Sequence, residues 1–454
     1  MFASDKLSDL LIRYDQSHIL EHLKTLPEDD RKNLTSDLLS VDFDLMKHLF
    51  LTAKEYNLSK KKITSPIVVT RENLNKDSKL REDAINLGME IIRSGEVCAL
   101  LVAGGQASRL GYEYPKGMFP ISPIKNKSLF QLFSERLLSC SKKYNVSIPF
   151  LIMTSKVNHL DTINFFEENN YFGLNKDDVI FFSQNMIPSV DLDGKLILND
   201  KTSLFRNPDG HGGSLQALLR NGILDVLEGR GIRYLSYFQV DNPLINFLDP
   251  LFIGLHVLNQ SEISSKTIEK NSVHEKMGTF VLFEDGKTGV VEYSDLSDEL
   301  IKKTASDGEF SLKWGNVGFH FMNLSFVNSV LSAGEAALPY HIALKGIPSF
   351  LSGNEIVKGY KFEKFIFDCL VYAKKTLIVQ TLRNEEFAPL KNLTGADSIE
   401  SCRKMMSDLY ASWLRNSGYF VAENVLVEIS PNFALSQDEI PLDIKLPKGN
   451  IYLN

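Results

Sequence analysis

The sequence predicts an open, doubly wound α/β domain with a mixed sheet, a helical part before it and a small β-rich domain after it. Three observations predict this. From about residue 96, short continuous apolar runs alternate with amphipathic segments of helical spacing, the pattern of parallel βαβ units whose strands are buried on both faces. The first 60 residues instead repeat Leu and Ile at helical spacing, with charges on the opposite face. The last stretch, from about residue 381, reads as short strands.

The N-terminal helices lie in "LSDLLIRYDQSHILEHLKTL" and, past a proline, in "LPEDDRKNLTSDLLSVDFDLMKHLF". A polar passage, "SKKKITSPIVVTRENLNKDSKLRED", reads as a connector crossing the surface, with its three lysines as a solvated face. "VCALLVAGG" is the first buried strand, and "SLFQLFSERLLSCSKKY" a helix with Ser128 as N-cap. Strands follow at "IPFLIMTS", "DVIFFSQN" and "RYLSYFQVDN"; helices at "HLDTINFFEENNYF", "SLQALLRNGILDVLEGRG" and "DPLFIGLHVLNQS". After about residue 276 the pattern mixes: "MGTFVLFEDGKTGVVEYSDL" is a hairpin around Asp285-Gly286, and "KFEKFIFDCLVYAKKT" a helix. "YFVAENVLVEIS" and "PLDIKLPKGNIYL" are the C-terminal strands. The expected domains are residues 1–90, 91–380 and 381–454.

Composition narrows the function. The chain has 454 residues, 43% hydrophobic and 24% charged, enough for cores that need no disulfide or metal staple. A net charge of -7 argues against non-specific nucleic-acid binding, which needs a basic face. It leaves room for a local basic pocket around a phosphorylated small molecule. Cys98, Cys140, Cys369 and Cys402 are widely spaced and read as reduced core residues, not zinc ligands. No signal peptide and no membrane-length apolar run is visible. The expectation is a cytoplasmic protein with no nucleic-acid or membrane partner, monomeric or weakly self-associating.

The chemistry gathers where strands open into loops, because ligands of such sheets bind beyond the carboxyl ends of the strands. Three such ends carry polar or glycine-rich loops, at Gly104, Gln184 and Asp241. Gly104, Gly105 and Gly111 let backbone N–H groups approach an anion, though a tight turn would use the same glycines. The loop is neither a Walker A nor a dinucleotide fingerprint. Arg109 and Lys116 sit in or just past it, with Pro115 and Gly117 stiffening the backbone. A guanidinium fork and an ammonium suit a polyphosphate. "NPDGHGG" could pack against a sugar or base, or be a plain turn. Asp241 could hold a Mg2+ bridging phosphate oxygens, or cap a helix. Glu292, between apolar neighbours, needs a partner: a sugar hydroxyl or an internal lysine.

"LLVAGGQASRLGYEYPKGMF" resembles the signature loop of eukaryotic UDP-N-acetylhexosamine pyrophosphorylases, L-x-x-G-G-Q-G-T-R-L-G followed by Y-P-K-G. "PDGHGG", "VDNPLINFLDPLFIGLHV", "VVEYSDLS", "WGNVGFHF", "GYKFEKFIFDCLVYAKK" and "LRNEEFAPLKN" resemble further family segments in the same order, across nearly the whole chain. The resemblance implies a Rossmann-like (GT-A-like) nucleotidyltransferase domain, converting UTP and N-acetylglucosamine 1-phosphate to UDP-N-acetylglucosamine and pyrophosphate. It implies Mg2+, with Mn2+ as substitute. It further implies that Gly104 and Gly105 cradle the nucleotide and that Arg109, Lys116 and Lys391 act on the phosphates. By the same resemblance Gln184 reads uracil, Gly210 lies near base and sugar, Asp241 serves the metal and phosphates, Glu292 and Asn316 hold the sugar, and Phe365 and Phe367 line the acetamido pocket.

Two positions depart from the family pattern. Ala107 replaces a glycine, which raises the expectation of strain if the backbone needs a positive φ there. His211 replaces the asparagine that contacts the sugar, so preference could shift toward N-acetylgalactosamine or glucose 1-phosphate. A non-catalytic nucleotide-sugar binder would be expected to lack Arg109 or Lys116. A glycosyltransferase would usually show D-x-D where this chain has Val240-Asp241-Asn242.

Overall fold

The computed structural model describes residues 2–55, 63–272, 274–293, 295, 312–334 and 337–454. They form two compact units, each drawn from separated stretches of chain. The triple lysine of the connector, residues 60–62, lies outside the described residues.

The larger unit, drawn from within Lys61–Ser183, Leu215–Ala337 and Cys369–Asn454, is built on a ten-stranded mixed sheet. Four strands form its parallel run, in the order Tyr234–Gln239, Val97–Val102, Phe150–Thr154, Val179–Ser183. Their apolar runs are continuous because both faces are covered; every residue of Phe150–Thr154 is buried. Trp314–Asn323 pairs antiparallel with Tyr234–Gln239, which makes the sheet mixed. The expected hairpin forms from Thr279–Phe283 and Thr288–Val291. In Leu129–Tyr144, Ser128 caps the helix as expected, its Oγ accepting from the Gln131 N–H at 3.1 Å.

Four expectations need correcting. The connector carries helices Arg71–Lys76 and Ser78–Arg93, capped by Thr70 and Asp77. "SLQALLRNGILDVLEGRG" is two helices, Gly213–Arg220 and Ile223–Gly229, parted by Gly222 at φ +65°. "KFEKFIFDCLVYAKKT" is not a helix but the end of strand Glu355–Lys364 followed by a 3-10 turn, Ile366–Tyr372. Beyond residue 381, strands Val427–Ile429 and Ile451–Leu453 fall where the sequence places them, but the main element is the helix Ile399–Asn416.

The smaller unit is drawn from within Met1–Lys60, Gln184–Ser214 and Leu338–Asp368. Its four helices, Phe2–Arg13, Ser17–Thr25, Glu28–Leu39 and Phe43–Glu55, match the N-terminal expectation. They share a core with the 184–214 stretch and the hairpin Tyr340–Ser349/Glu355–Lys364, through Leu11, Ile19, Leu34, Leu198 and Phe362. Polar ties reinforce it. Buried Gln16 donates to Gly194 C=O and accepts from Leu196 N–H, and Arg206 pairs with Asp37. Among the described residues, no helix is long and apolar enough to cross a membrane.

In the larger unit, helices Ser78–Arg93 and Pro250–Leu258 cross at backbone distance. A Cβ at Gly254 would lie 1.7 Å from the Ala84 carbonyl oxygen, and one at Gly88 1.9 Å from that of Pro250. Gly254→Ala should therefore destabilise the protein by about 2 kcal/mol or more. Urea denaturation measures this; an unchanged midpoint would refute the close crossing.

Candidate active site

The glycine loop begins where strand Val97–Val102 stops. It folds back on itself: the Lys116 N–H donates to Gly105 C=O at 3.1 Å, and the Ala107 N–H to Tyr114 C=O at 3.3 Å. Gly105 is exposed, and a Cβ built there meets nothing within 4 Å, so open space remains above its backbone. Neither Gly104 nor Gly105 has a positive φ; Gly111 does, at +69°, where it closes the turn Ser108–Leu110. Ala107 sits at φ -94°, an ordinary value, with its methyl buried in the core, so the expected strain is absent. Gly117 is required sterically, because a Cβ there would lie 2.1 Å from the Phe130 ring. Asn158 also braces the loop, and sequence reasoning missed it. Fully buried past strand Phe150–Thr154, it donates to Ala103 C=O at 2.9 Å while its Oδ1 accepts from the Ser155 N–H at 2.7 Å. An Asn four residues past a strand was the available signal.

The charged groups converge beyond this loop. The half-buried Lys116 Nζ donates to Leu390 C=O at 2.9 Å, and the Leu390 N–H donates to Asp241 C=O at 2.8 Å. Burial pushes the Lys116 pKa below the usual lysine value; the Asp241 carboxylate works against this, while Lys391 and Arg109 add to it. All four charges thus act on one site. Lys391 lies 3.7 Å from the Asp397 carboxylate. Arg109 is exposed and makes no hydrogen bond or ion pair with a described residue. In a chain of net charge -7, Lys116, Lys391 and Arg109 are thus close enough to act together at one place.

A second group of predicted residues meets around Gly278, in the same unit. The Asn316 N–H donates to Gly278 C=O at 2.8 Å, and a Cβ at Gly278 would lie 2.9 Å from Glu292 Oε1. The Asn316 Oδ1 accepts from the Gly318 N–H at 2.9 Å. This kink falls where the register between Ile263–Glu269 and Trp314–Asn323 shifts, between Ser265 and Thr267. Such a bulge re-aims side chains off the regular ladder.

Gln184, Gly210, His211, Phe365 and Phe367 belong to the smaller unit. Gly210, at φ +87°, lies against the Lys364 backbone, where a Cβ would come within 2.4 Å of the carbonyl oxygen. The Gly212 N–H donates to that same oxygen, and the Lys364 N–H to Asp209 C=O. The Ile366 N–H donates to His211 Nδ1 at 3.2 Å, so a neutral ring carries its proton on Nε2. The His211 ring stacks on Phe365 at 5.2 Å, and His341 approaches the same phenylalanine at 4.2 Å. Phe367 is buried. Gln184, directly after strand Val179–Ser183, is buried, and its carboxamide has no hydrogen-bond partner among the described residues. The residue is 8% exposed, and its carboxamide atoms keep access to solvent or to a ligand.

A family model described as UTP–glucose-1-phosphate uridylyltransferase matches residues 41–439. The UDP-N-acetylglucosamine pyrophosphorylase of Saccharomyces cerevisiae is 34% identical over 455 residues, covering 95% of this chain and 95% of that protein. UDP-N-acetylglucosamine diphosphorylase 2 of Arabidopsis thaliana is 34% identical over 451 residues, covering 94% of this chain and 88% of that one. Among solved structures, the uridine diphosphate N-acetylglucosamine pyrophosphorylase of Trypanosoma brucei matches with TM-score 0.84 at 27% identity, covering 97% of this chain and 94% of that chain.

The electrostatics can be tested directly. Lys116 should titrate below the usual lysine range, and Asp241→Asn should lower it further by removing the opposing charge. Because the folded value lies below the unfolded one, this group's effect on stability becomes more favourable as pH rises from the former to the latter. NMR of the lysine Cε resonance against pH measures the shift; an unmoved Lys116 in Asp241→Asn would refute the coupling.

Proposed function

Because this chain belongs to the UTP–glucose-1-phosphate uridylyltransferase family, we infer that it transfers the uridylyl group of UTP to N-acetylglucosamine 1-phosphate, giving UDP-N-acetylglucosamine and pyrophosphate. The family description names glucose 1-phosphate, whereas the relatives alike over almost their whole length are named for N-acetylglucosamine, and this decides the sugar. Within the site, the observation that carries the reading is the cluster of Arg109, Lys116 and Lys391 around Asp241 at the mouth of a glycine loop.

In the reaction, an oxygen of the sugar phosphate attacks the α-phosphorus of UTP in line. A new O–P bond forms as the bond to the bridging oxygen breaks, and its electrons leave with pyrophosphate. Such a transfer asks for alignment and charge neutralisation more than for acid–base groups. Lys116 spends one N–H on Leu390 and keeps two for phosphate oxygens. Arg109 brings an unengaged planar fork, and Lys391 a further charge, to the departing pyrophosphate. Gly104 and Gly105 let the nucleotide approach the backbone. The unpaired Gln184 carboxamide both donates and accepts, which suits the uracil edge. Glu292 and Asn316 take sugar hydroxyls. Gly210 lies near base and sugar, His211 takes the place that contacts the sugar, and Phe365 and Phe367 line the acetamido pocket.

Asp241 fits a divalent cation held in part by substrate, because Mg2+ commonly takes one or two carboxylates and completes its shell with phosphate oxygens and water. No group of three acidic, His or Cys residues among the described ones offers an all-protein metal site. Bound there, Mg2+, or Mn2+ in its place, would neutralise phosphate charge. A cytoplasmic enzyme, monomeric or weakly self-associating, completes the proposal; the four buried cysteines, none in a disulfide, accord with a reducing setting.

Pyrophosphate release from UTP and Mg2+ should favour N-acetylglucosamine 1-phosphate over the N-acetylgalactosamine and glucose compounds. Another preference would keep the chemistry and move the substrate; no release from any would refute the reading. Arg109→Ala and Lys116→Ala should each lower kcat by about a hundredfold or more with the fold intact. Near-parental rates in both would remove the loop from the mechanism.

A further inference from the structure

The loop bearing Asp241 and the segment leading to Lys391 are joined by a set of groups that do not themselves belong to the reacting cluster. Asn242, 4% exposed, donates through Nδ2 to Glu386 C=O at 2.7 Å and accepts at Oδ1 from the Ala388 N–H at 3.0 Å. It thereby straps the residue after Asp241 to the chain just before Leu390, whose carbonyl holds Lys116. The Glu386 side chain turns inward. Its Oε2 accepts from the Asn246 N–H at 2.9 Å and its Oε1 from the Thr381 hydroxyl at 2.8 Å. Both oxygens also accept from Lys266 Nζ, at 2.8 and 2.6 Å.

Lys266 is 1% exposed and sits where the sheet register slips, between Ser265 and Thr267. Its other two bonds run to Asn246 C=O and Asp249 Oδ2, each at 3.0 Å. Asp249 is in turn the N-cap of helix Pro250–Leu258. Every bond of this buried ammonium therefore ends on residues 246–249 or on Glu386. Burial opposes its charge, but Asp249 and Glu386 outweigh that and raise its pKa, so it stays charged at neutral pH.

With side-chain exposures of 2% and 13%, the Lys266–Glu386 pair is largely buried, and such a pair is often no more stabilising than a well-packed apolar pair of the same volume. What it supplies instead is direction. Apolar packing could fill the space but would not fix residues 241–249 against 386–391 to a hydrogen-bond length.

We propose that Asn242, Glu386 and Lys266 are positioning residues for the transfer, setting Asp241 at a fixed distance from Lys116 and Lys391 without touching substrate. The proposal rests on the uridylyltransferase reading. It deepens that reading by assigning the geometry of the phosphate cluster to a buried charge pair on the central sheet.

The test compares the parent enzyme with Asn242→Ala and with the double variant Lys266→Met/Glu386→Gln, which removes both charges together. Pyrophosphate release is read against UTP, sugar phosphate and Mg2+ well below the melting temperature of each protein. In the folded variants kcat should fall by about tenfold to a hundredfold. KM for N-acetylglucosamine 1-phosphate should move by less than about twofold, and the Mg2+ concentration at half-maximal rate should rise. If the double variant fails to fold, Asn242→Ala, which keeps the ion pair, decides the matter. A folded variant that melts earlier yet keeps the parental kcat and Mg2+ dependence would show a merely structural role and overturn the proposal. An inactive parent enzyme would overturn the functional reading itself, and the proposal with it.

Discussion

The larger unit is organised around one electrostatic constraint: Lys116 holds its charge in a half-buried place with Lys391 and Arg109 working against it, Asp241 working for it, and Asp397 3.7 Å from Lys391. Burial disfavours the charge of Lys116, and Lys391 and Arg109 disfavour it further, against the pull of Asp241. A short relay of backbone bonds holds the arrangement. Lys116 Nζ rests on Leu390 C=O, the Leu390 N–H rests on Asp241 C=O, and the Lys116 N–H is tied to Gly105 C=O. Three distant parts of the chain are thereby joined at one point. Charged groups fixed in place by such bonds before a ligand arrives are the condition for electrostatic preorganisation.

Much of this was legible in the sequence, for a physical reason. Parallel strands buried on both faces read as unbroken apolar runs, so Val97–Val102, Phe150–Thr154 and Tyr234–Gln239 and the loops at their carboxyl ends could be placed. Arg109, Lys116 and Asp241 then follow from being polar just past such strands. Lys391 does not: it reaches the cluster from some 270 residues away, and only family resemblance pointed to it. The Lys266–Glu386 pair was invisible for a related reason, since its meaning lies in partners that no local pattern predicts.

The errors in secondary structure have equally specific causes. Phe362, Ile366, Cys369 and Leu370 are all buried and fall at helical spacing, so residues 361–376 read as a helix. The Lys364 backbone is instead engaged by Asp209 and Gly212, and that tertiary pairing ends a strand where periodicity proposes a helix. The helix Ile399–Asn416 is the converse case. Its buried Cys402, Met406, Leu409, Tyr410 and Leu414 keep helical spacing, and Ser398 with Ser401 forms its capping box. The signal was present, and the apolar runs on its C-terminal side drew the reading toward strands.

The two departures from the family pattern resolve differently, and backbone geometry explains why. At position 107 the chain holds an ordinary φ, so any L-residue fits, and the alanine adds a buried methyl to the core at no conformational cost. At position 211 the glycines on either side carry the unusual demands, because Gly210 and Gly212 press on the backbone of residues 364 and 365. That close approach fixes the histidine between them. Its Nδ1 accepts from the Ile366 N–H and its face lies on Phe365, which orients the ring. An asparagine side chain carries a donor and an acceptor on one carboxamide, whereas His211 has its acceptor nitrogen committed to the Ile366 N–H. The substitution therefore changes the hydrogen-bonding groups at position 211, while the glycines on either side keep the loop against residues 364 and 365.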